Sequence, residues 1–364
     1  MQIQNIIEKL EDFAPIPLQE SYDNCGLMAG DSQADASGAL LCLEVTDNVL
    51  NEAIEKKLNL IIAHHPLIFG GIKSLTPDTE TGRLLIKALK NNIAIYAIHT
   101  NIDKVKNGVS FKMAEKLGLE KTEILSPEKG TLRKLVTFSP PKYAEKVKEA
   151  IFKAGAGHIG EYSECSYNLS GLGTFKASEN TNPFSGEKNK RQEDAEIRIE
   201  TIFPFYKKSG ILKALKKAHP YEEVAYDIYP LENENQTVGL GAIGSFSSSK
   251  NTDDFLNLVK KSFKCGCIRY TDSGKKKIKK VAVCGGSGAS LFSKAKALGA
   301  DAYISADFKY HDFFEGLTDT IIIDIGHYES EQFTVEIFHS IISQNFPNFA
   351  VQISDLSTNP INYL

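Results

Sequence analysis

The 364-residue chain has only eight histidines, and two of them, His64 and His65, are adjacent at the end of an apolar run, NLIIAHHPLIF. Side chains alternate along a strand, so neighbours can share one site only where the strand gives way to a loop. Pro66 supplies that break. A satisfied loop pair is the plainer alternative. A second apolar run, NIAIYAIHTNID, places His99 and Asp103 just beyond it. Asp alone is ordinary in turns. The third run, TIIIDIG, leads into HYESE, where His327 and Glu331 are spaced i, i+4. On a helix this spacing puts imidazole and carboxylate on one face. Glu331 is also in phase with Val335, Phe338 and Ile342, an apolar face. A carboxylate on a buried face needs a cationic partner, and a metal ion is a good one. The helix N-terminus adds a favourable dipole. Simple helix capping would use the same spacing.

Pooled, these strand ends offer His64, His65, Asp103, His327 and Glu331. Imidazole with carboxylate suits zinc, iron or manganese. A single zinc takes about three or four ligands, so five fit two divalent ions sharing a carboxylate better. Such pairs activate water and stabilise the anion that develops in hydrolysis.

The elements that must position these residues follow an α/β rhythm. Apolar runs at 38–45, 59–69 and 92–103 read as strands, with helices at 47–57, 81–90 and 108–118, the first capped by Asp47 and the last ended by Gly118. Near the C-terminus, strands at 279–286, 301–307 and 320–326 alternate with a helix at 290–299, and a closing helix spans 330–344. Strands separated by helices predict a mostly parallel sheet. The middle differs: around the polar stretch ASENTNPFSGEKNKRQEDAE, strands and helices follow a β-α-β-β-α-β order, the signature of a ferredoxin-like unit. The expected organisation is a discontinuous α/β domain, 1–125 with 236–364, interrupted by an inserted α+β domain at 126–235.

Composition narrows the function classes. Apolar residues at 42% and charged residues at 24% exclude a disordered or fibrous chain. The 42 Lys+Arg against 46 Asp+Glu give a net charge of −4, which argues against a coat on nucleic acid or anionic membrane. No apolar run approaches the roughly 18 residues that span a bilayer. MQIQNIIEKLEDF repeats Ile3, Ile6, Ile7, Leu10 and Phe13 at helical spacing and has no basic leader, so it reads as the first helix of a cytoplasmic protein. The six cysteines are scattered, and Cys265 and Cys267 form C-x-C; reduced, partly buried thiols are expected. VCGGSGAS reads as a tight strand-to-helix turn, because Leu291 stands where G-x-G-x-x-G has its third glycine.

The blocks SYDNCGLMAG, AHHPLIFGG, AIHTNIDKVKNGVS, VCGGSGAS, DAYISADFKYHD and IDIGHYESE, in this order, closely resemble the NGG-interacting-factor-like dinuclear metal-centre family, which includes GTP cyclohydrolase 1 type 2 homologues. AGAGHIGEYSECSYNLSGLGTF and AHPYEEVAYDIYPL resemble the PII-like or CutA-like insert of its longer members. The resemblance implies metal ligation by the same five residues and a ring-shaped homohexamer. It also implies hydrolysis of a nucleotide-like substrate, with an activated water attacking C8 of guanine. His99 and His311 match family blocks as well and are the candidates for acid/base or supporting roles, His311 being preferred because it follows the strand at 301–307. His158 and His219 lie in the insert, where a lone histidine is more often structural. The competing class is a non-catalytic, metal-containing ring that senses a small molecule or docks a partner; a nucleic-acid clamp draws only on ring shape and runs against the charge.

Overall fold

Strands Ala39–Cys42, Leu60–Ala63 and Ala94–Ala97 bury every one of their side chains. That is the pattern of parallel strands covered on both faces. In the computed structural model, which describes all 364 residues, they pair in parallel, with Val351–Ile353 parallel at one edge and Gly26–Ala29 antiparallel at the other. A second, six-stranded sheet centres on Lys277–Ser287, Ala302–Ala306 and Ile321–Asp324, again parallel and wholly buried in the last two. Asn235–Asn251 and Arg269–Tyr270 join it antiparallel. The α/β part therefore holds two sheets, the first mostly parallel and the second mixed. Both belong to one unit, 1–127 with 237–364.

The helices follow the apolar periodicity. Ile3–Phe13 buries Ile3, Ile6, Ile7 and Leu10. Gly118 ends Val109–Leu117 in the left-handed region, at φ 72°. Thr46, rather than Asp47, caps Asp47–Glu55, its hydroxyl accepting from the Val49 amide. The closing helix is divided into His327–Glu331 and Thr334–Asn345, with buried Phe333 at the break packing on Phe263 at 6.3 Å. No helix is long and apolar enough to cross a membrane. All six cysteines are free.

The second unit spans 128–236. Its strands are Leu132–Ser139, Ser166–Lys176, Arg191–Pro204 and Tyr226–Pro230, and its main helices Pro141–Lys153 and Lys208–Ala218. The strands lie in the order second, third, first, fourth, all antiparallel, which is the ferredoxin-like arrangement. Leu135, Ile199 and Phe203 from the sheet pack with Val147, Ile151, Ile211 and Leu215 from the helices. Ser166–Lys176 is an edge strand exposed at nearly every position, so no apolar alternation marks it in the sequence.

The chain leaves the first unit at Glu120–Glu128 and re-enters it at Asn235–Asn251, and these two strands are neighbours in the six-stranded sheet. Gly239 allows that approach: a Cβ there would lie 2.2 Å from the Ser126 carbonyl oxygen. Replacing residues 128–236 by a short Gly/Ser linker is therefore expected to leave a folded first unit. Circular dichroism melting, with metal content by elemental analysis, checks this outcome; an insoluble product would contradict it.

Candidate metal centre

Three strand ends from the two sheets meet at one point. Leu60–Ala63 delivers His64 and His65, and Ala94–Ala97 delivers His99 and, through the turn Thr100–Asp103, Asp103. Ile321–Asp324 of the other sheet delivers His327 and Glu331 on a short helix. Glu331 Oε2 lies at the focus, 3.0 Å from His65 Nε2, 3.1 Å from His327 Nε2 and 3.7 Å from His64 Nε2. His64 Nε2 is also 3.8 Å from Asp103 Oδ1. Close-set ligand atoms form two triads, His65–His327–Glu331 and His64–Asp103–Glu331, joined by the glutamate, with His64, His65 and His99 forming a third group.

Each imidazole is anchored through its Nδ1. His64 Nδ1 donates to the Ile98 carbonyl at 2.9 Å, and that oxygen can only accept, so the proton sits on Nδ1 and Nε2 presents its lone pair. His65 Nδ1 meets Glu44 at 2.9 Å, His327 Nδ1 meets Asp307 at 2.7 Å, and His99 Nδ1 meets Asp23 at 2.8 Å. Imidazole ligands of metal sites are oriented in this way, by a carboxylate or carbonyl on the far nitrogen.

Charge and clearance complete the centre. His64 is fully buried and Glu331 is 2% exposed. His64 Nε2, Asp103 Oδ1 and Glu331 Oε2 are buried with no hydrogen-bond partner. Burial raises the Glu331 carboxyl, but His64, His327 and His65 outweigh it and hold the group well below the usual carboxylate range. Burial and then the charge of Glu331 push Asp103 up. Burial disfavours charge on His65, yet the facing Glu331 carboxylate and the hydrogen bond to Glu44 raise it to about 10; the facing Glu331 carboxylate is the main cause that raises His327 to about 9. The protein thus calls for positive charge around one carboxylate, and divalent cations between these nitrogens and oxygens meet that demand. The donor set is all nitrogen and oxygen, as zinc, iron or manganese accept. Gly286, at φ 60°, leaves room: a Cβ there would stand 2.3 Å from Glu331 Oε1.

A family model, Duf34/NIF3 (NGG1p interacting factor 3), matches residues 1–360. The chain belongs to this family. It is 39% identical to the GTP cyclohydrolase 1 type 2 homolog of Halalkalibacterium halodurans, over 99% of this chain and 98% of that one. It is 38% identical to the protein of the same name from Bacillus subtilis, with the same coverage. The crystal structure of a Bacillus cereus protein related to NIF3 superposes with a TM-score of 0.87 at 37% identity, covering 100% of this chain and 99% of that one.

The five residues expected as ligands are brought together, and His99 stands beside them, its ring centroid 5.2 Å from those of both His64 and His65. His311 is placed elsewhere: it is exposed on the 3₁₀ helix Tyr310–Leu317, its ring packing with Tyr310 and Phe314. The strand before it, Ala302–Ala306, does deliver Asp307 to His327 Nδ1 at 2.7 Å, but the contacts of His311, four residues on, are with Tyr310 and Phe314 and not with the ligand cluster. His219 is structural, with Nε2 on the Phe138 carbonyl at 2.8 Å and Nδ1 accepting from the Tyr221 amide. His158 is exposed.

Sequence reasoning missed Glu44, Asp23 and Asp307, although the last two stand in the blocks SYDNCGLMAG and DAYISADFKYHD. It also missed residues 354–364. Ser354 and Asp355 bond Glu52, the Thr358 hydroxyl donates to Glu44 Oε2, and Asn359 Nδ2 donates to Glu329 at 3.2 Å. Thr358 thereby fixes the carboxylate that fixes His65. Glu44→Ala is expected to lower divalent-metal affinity about 10- to 100-fold with the fold intact, the usual scale for an outer partner of a ligating histidine. Chelator competition on the purified variant, with its melting curve, measures both.

Proposed function

We propose that the chain is a hydrolase that works through two divalent ions, one held by His64, Asp103 and Glu331 and the other by His65, His327 and Glu331. The observation that carries this reading is the single oxygen, Glu331 Oε2, aimed at by three imidazole nitrogens at 3.0, 3.1 and 3.7 Å. A bound ion pair of this kind supplies Lewis acidity, lowering the pKa of water and stabilising the anion that develops as a bond is hydrolysed. The chain's own residues do the rest. Glu44, Asp307 and the Ile98 carbonyl hold the ligating imidazoles from behind and fix the direction of each Nε2. His99 is the imidazole outside the two triads, and Asp23 keeps a proton on its Nδ1. Its Nε2 is then the atom that takes up or delivers the proton of the reaction. Asp23 is suited to hold it, because hydrogen bonds from His99 and Thr100 overcome its burial and keep its carboxyl far below the usual range. The placement of the two candidate histidines favours His99 over His311.

The names of the relatives support a nucleotide such as GTP as the substrate class, with ring opening as the reaction. The same reading includes a homohexameric ring as the working assembly, checked by sedimentation of the full chain.

Turnover by zinc-, iron- and manganese-loaded protein against a panel of nucleotides and phosphoesters tests the hydrolase. His99→Ala is expected to keep its metal and lose about 10²- to 10⁴-fold in turnover, the usual scale for a general acid or base. His311→Ala run alongside tells which imidazole moves the proton. Glu331→Gln is expected to lose both metals together by elemental analysis; full metal content in that variant would overturn the shared carboxylate. Nucleotide binding without turnover in any metal form would favour the sensor reading instead.

A further inference from the structure

Two large, exposed aromatic rings stand beside the centre. Tyr22 and Phe69 stack on each other, centroids 6.5 Å apart and planes 19° apart, yet they remain 64% and 54% exposed. Single exposed aromatics are ordinary; a parallel pair left open to solvent at the edge of a charged site is a surface for a ligand. The pair is tied to the centre on both sides. The Phe69 ring lies 6.0 Å from the His99 ring, edge to face, and His99 lies 5.2 Å from His64 and His65. Tyr22 precedes Asp23, the partner of His99. The two loops are clamped together: Asn24 Nδ2 donates to the Ile68 carbonyl at 2.7 Å, fixing the residue before Phe69 to the segment that carries Tyr22. Asp23 holds that segment in turn, accepting from the Thr100 amide at 3.1 Å.

We infer that Tyr22 and Phe69 form a stacking platform for a planar heteroaromatic ring, which sets the substrate class of the metal centre and brings an atom of that ring to His99 and the two ligand triads. This rests on the hydrolase reading for the reaction, but the binding itself does not depend on turnover. The chemistry is selective by shape. Aromatic faces hold a flat π-system more strongly than a sugar phosphate, and stacking of one base commonly contributes enough to change affinity about 10-fold or more. A phosphoester without a ring therefore lacks the contact that this surface provides.

The test uses full-length, metal-loaded protein. The chain has no tryptophan, so Phe69→Trp places a single reporter in the platform. Guanosine 5′-monophosphate is expected to quench its fluorescence saturably, and ribose 5-phosphate is not. By calorimetry, Phe69→Leu and Tyr22→Leu are each expected to weaken guanosine monophosphate binding about 10-fold or more, with metal content and oligomeric state unchanged. Both rings are more than half exposed, so neither substitution removes core packing. Equal binding of the two probes, or unaltered affinity in both leucine variants, would overturn the platform. Altered oligomeric state with ring binding intact would also overturn it, assigning the pair to a contact between copies. Ring-selective binding with no turnover would instead sink the hydrolase reading and leave the platform standing.

Discussion

A buried carboxylate that has to be matched by positive charge governs the arrangement. Glu331 is 2% exposed, and its Oε2 finds no hydrogen-bond donor of the ordinary kind. Leaving one member of a buried charge set unmatched costs about 3–5 kcal/mol. Three imidazole nitrogens converge on that oxygen, and a divalent cation held there would satisfy carboxylate and imidazoles together. Much of the local structure serves this convergence. Gly286 takes a left-handed conformation and leaves space for the carboxylate, while its amide donates to Ser330 Oγ at 2.9 Å, pinning the short helix that carries Glu331.

The convergence also joins two sheets. The first contributes His64, His65 and Asp103, and the second contributes His327 and Glu331. Each sheet brings its own orienting groups: Glu44 and the Ile98 carbonyl from the first, Asp307 from the second. Residues 354–364 bridge the same divide, since Thr358 holds Glu44 and Asn359 holds Glu329 on the Glu331 helix. Metal affinity in such a site depends on groups that never touch the metal, because a misdirected imidazole lone pair is a lost bond.

The contrast between His99 and His311 shows how far position at a strand end carries. Both follow apolar strands, and both rings have aromatic neighbours. Only His99 has a buried carboxylate behind it and other imidazoles in front. Asp23, the deciding residue, is 76 positions away in the chain. Local sequence around either histidine carries no trace of that partnership.

The sequence by itself determined which chemical groups converge, because His64, His65, Asp103, His327 and Glu331 closely follow short, largely apolar strands that are buried on both faces. It also determined the β-α-β-β-α-β order of residues 128–236, apart from the exposed edge strand Ser166–Lys176, whose burial pattern carries no periodic signal. Tertiary structure alone decided that the α/β strands form two sheets, because strand partners are chosen by packing between distant segments. It likewise decided that Glu44, Asp23 and Asp307 orient the imidazoles and that Tyr22 meets Phe69. These are contacts between residues 20 to 76 positions apart. No helical or strand period reaches across such separations; only the closed core sets those distances.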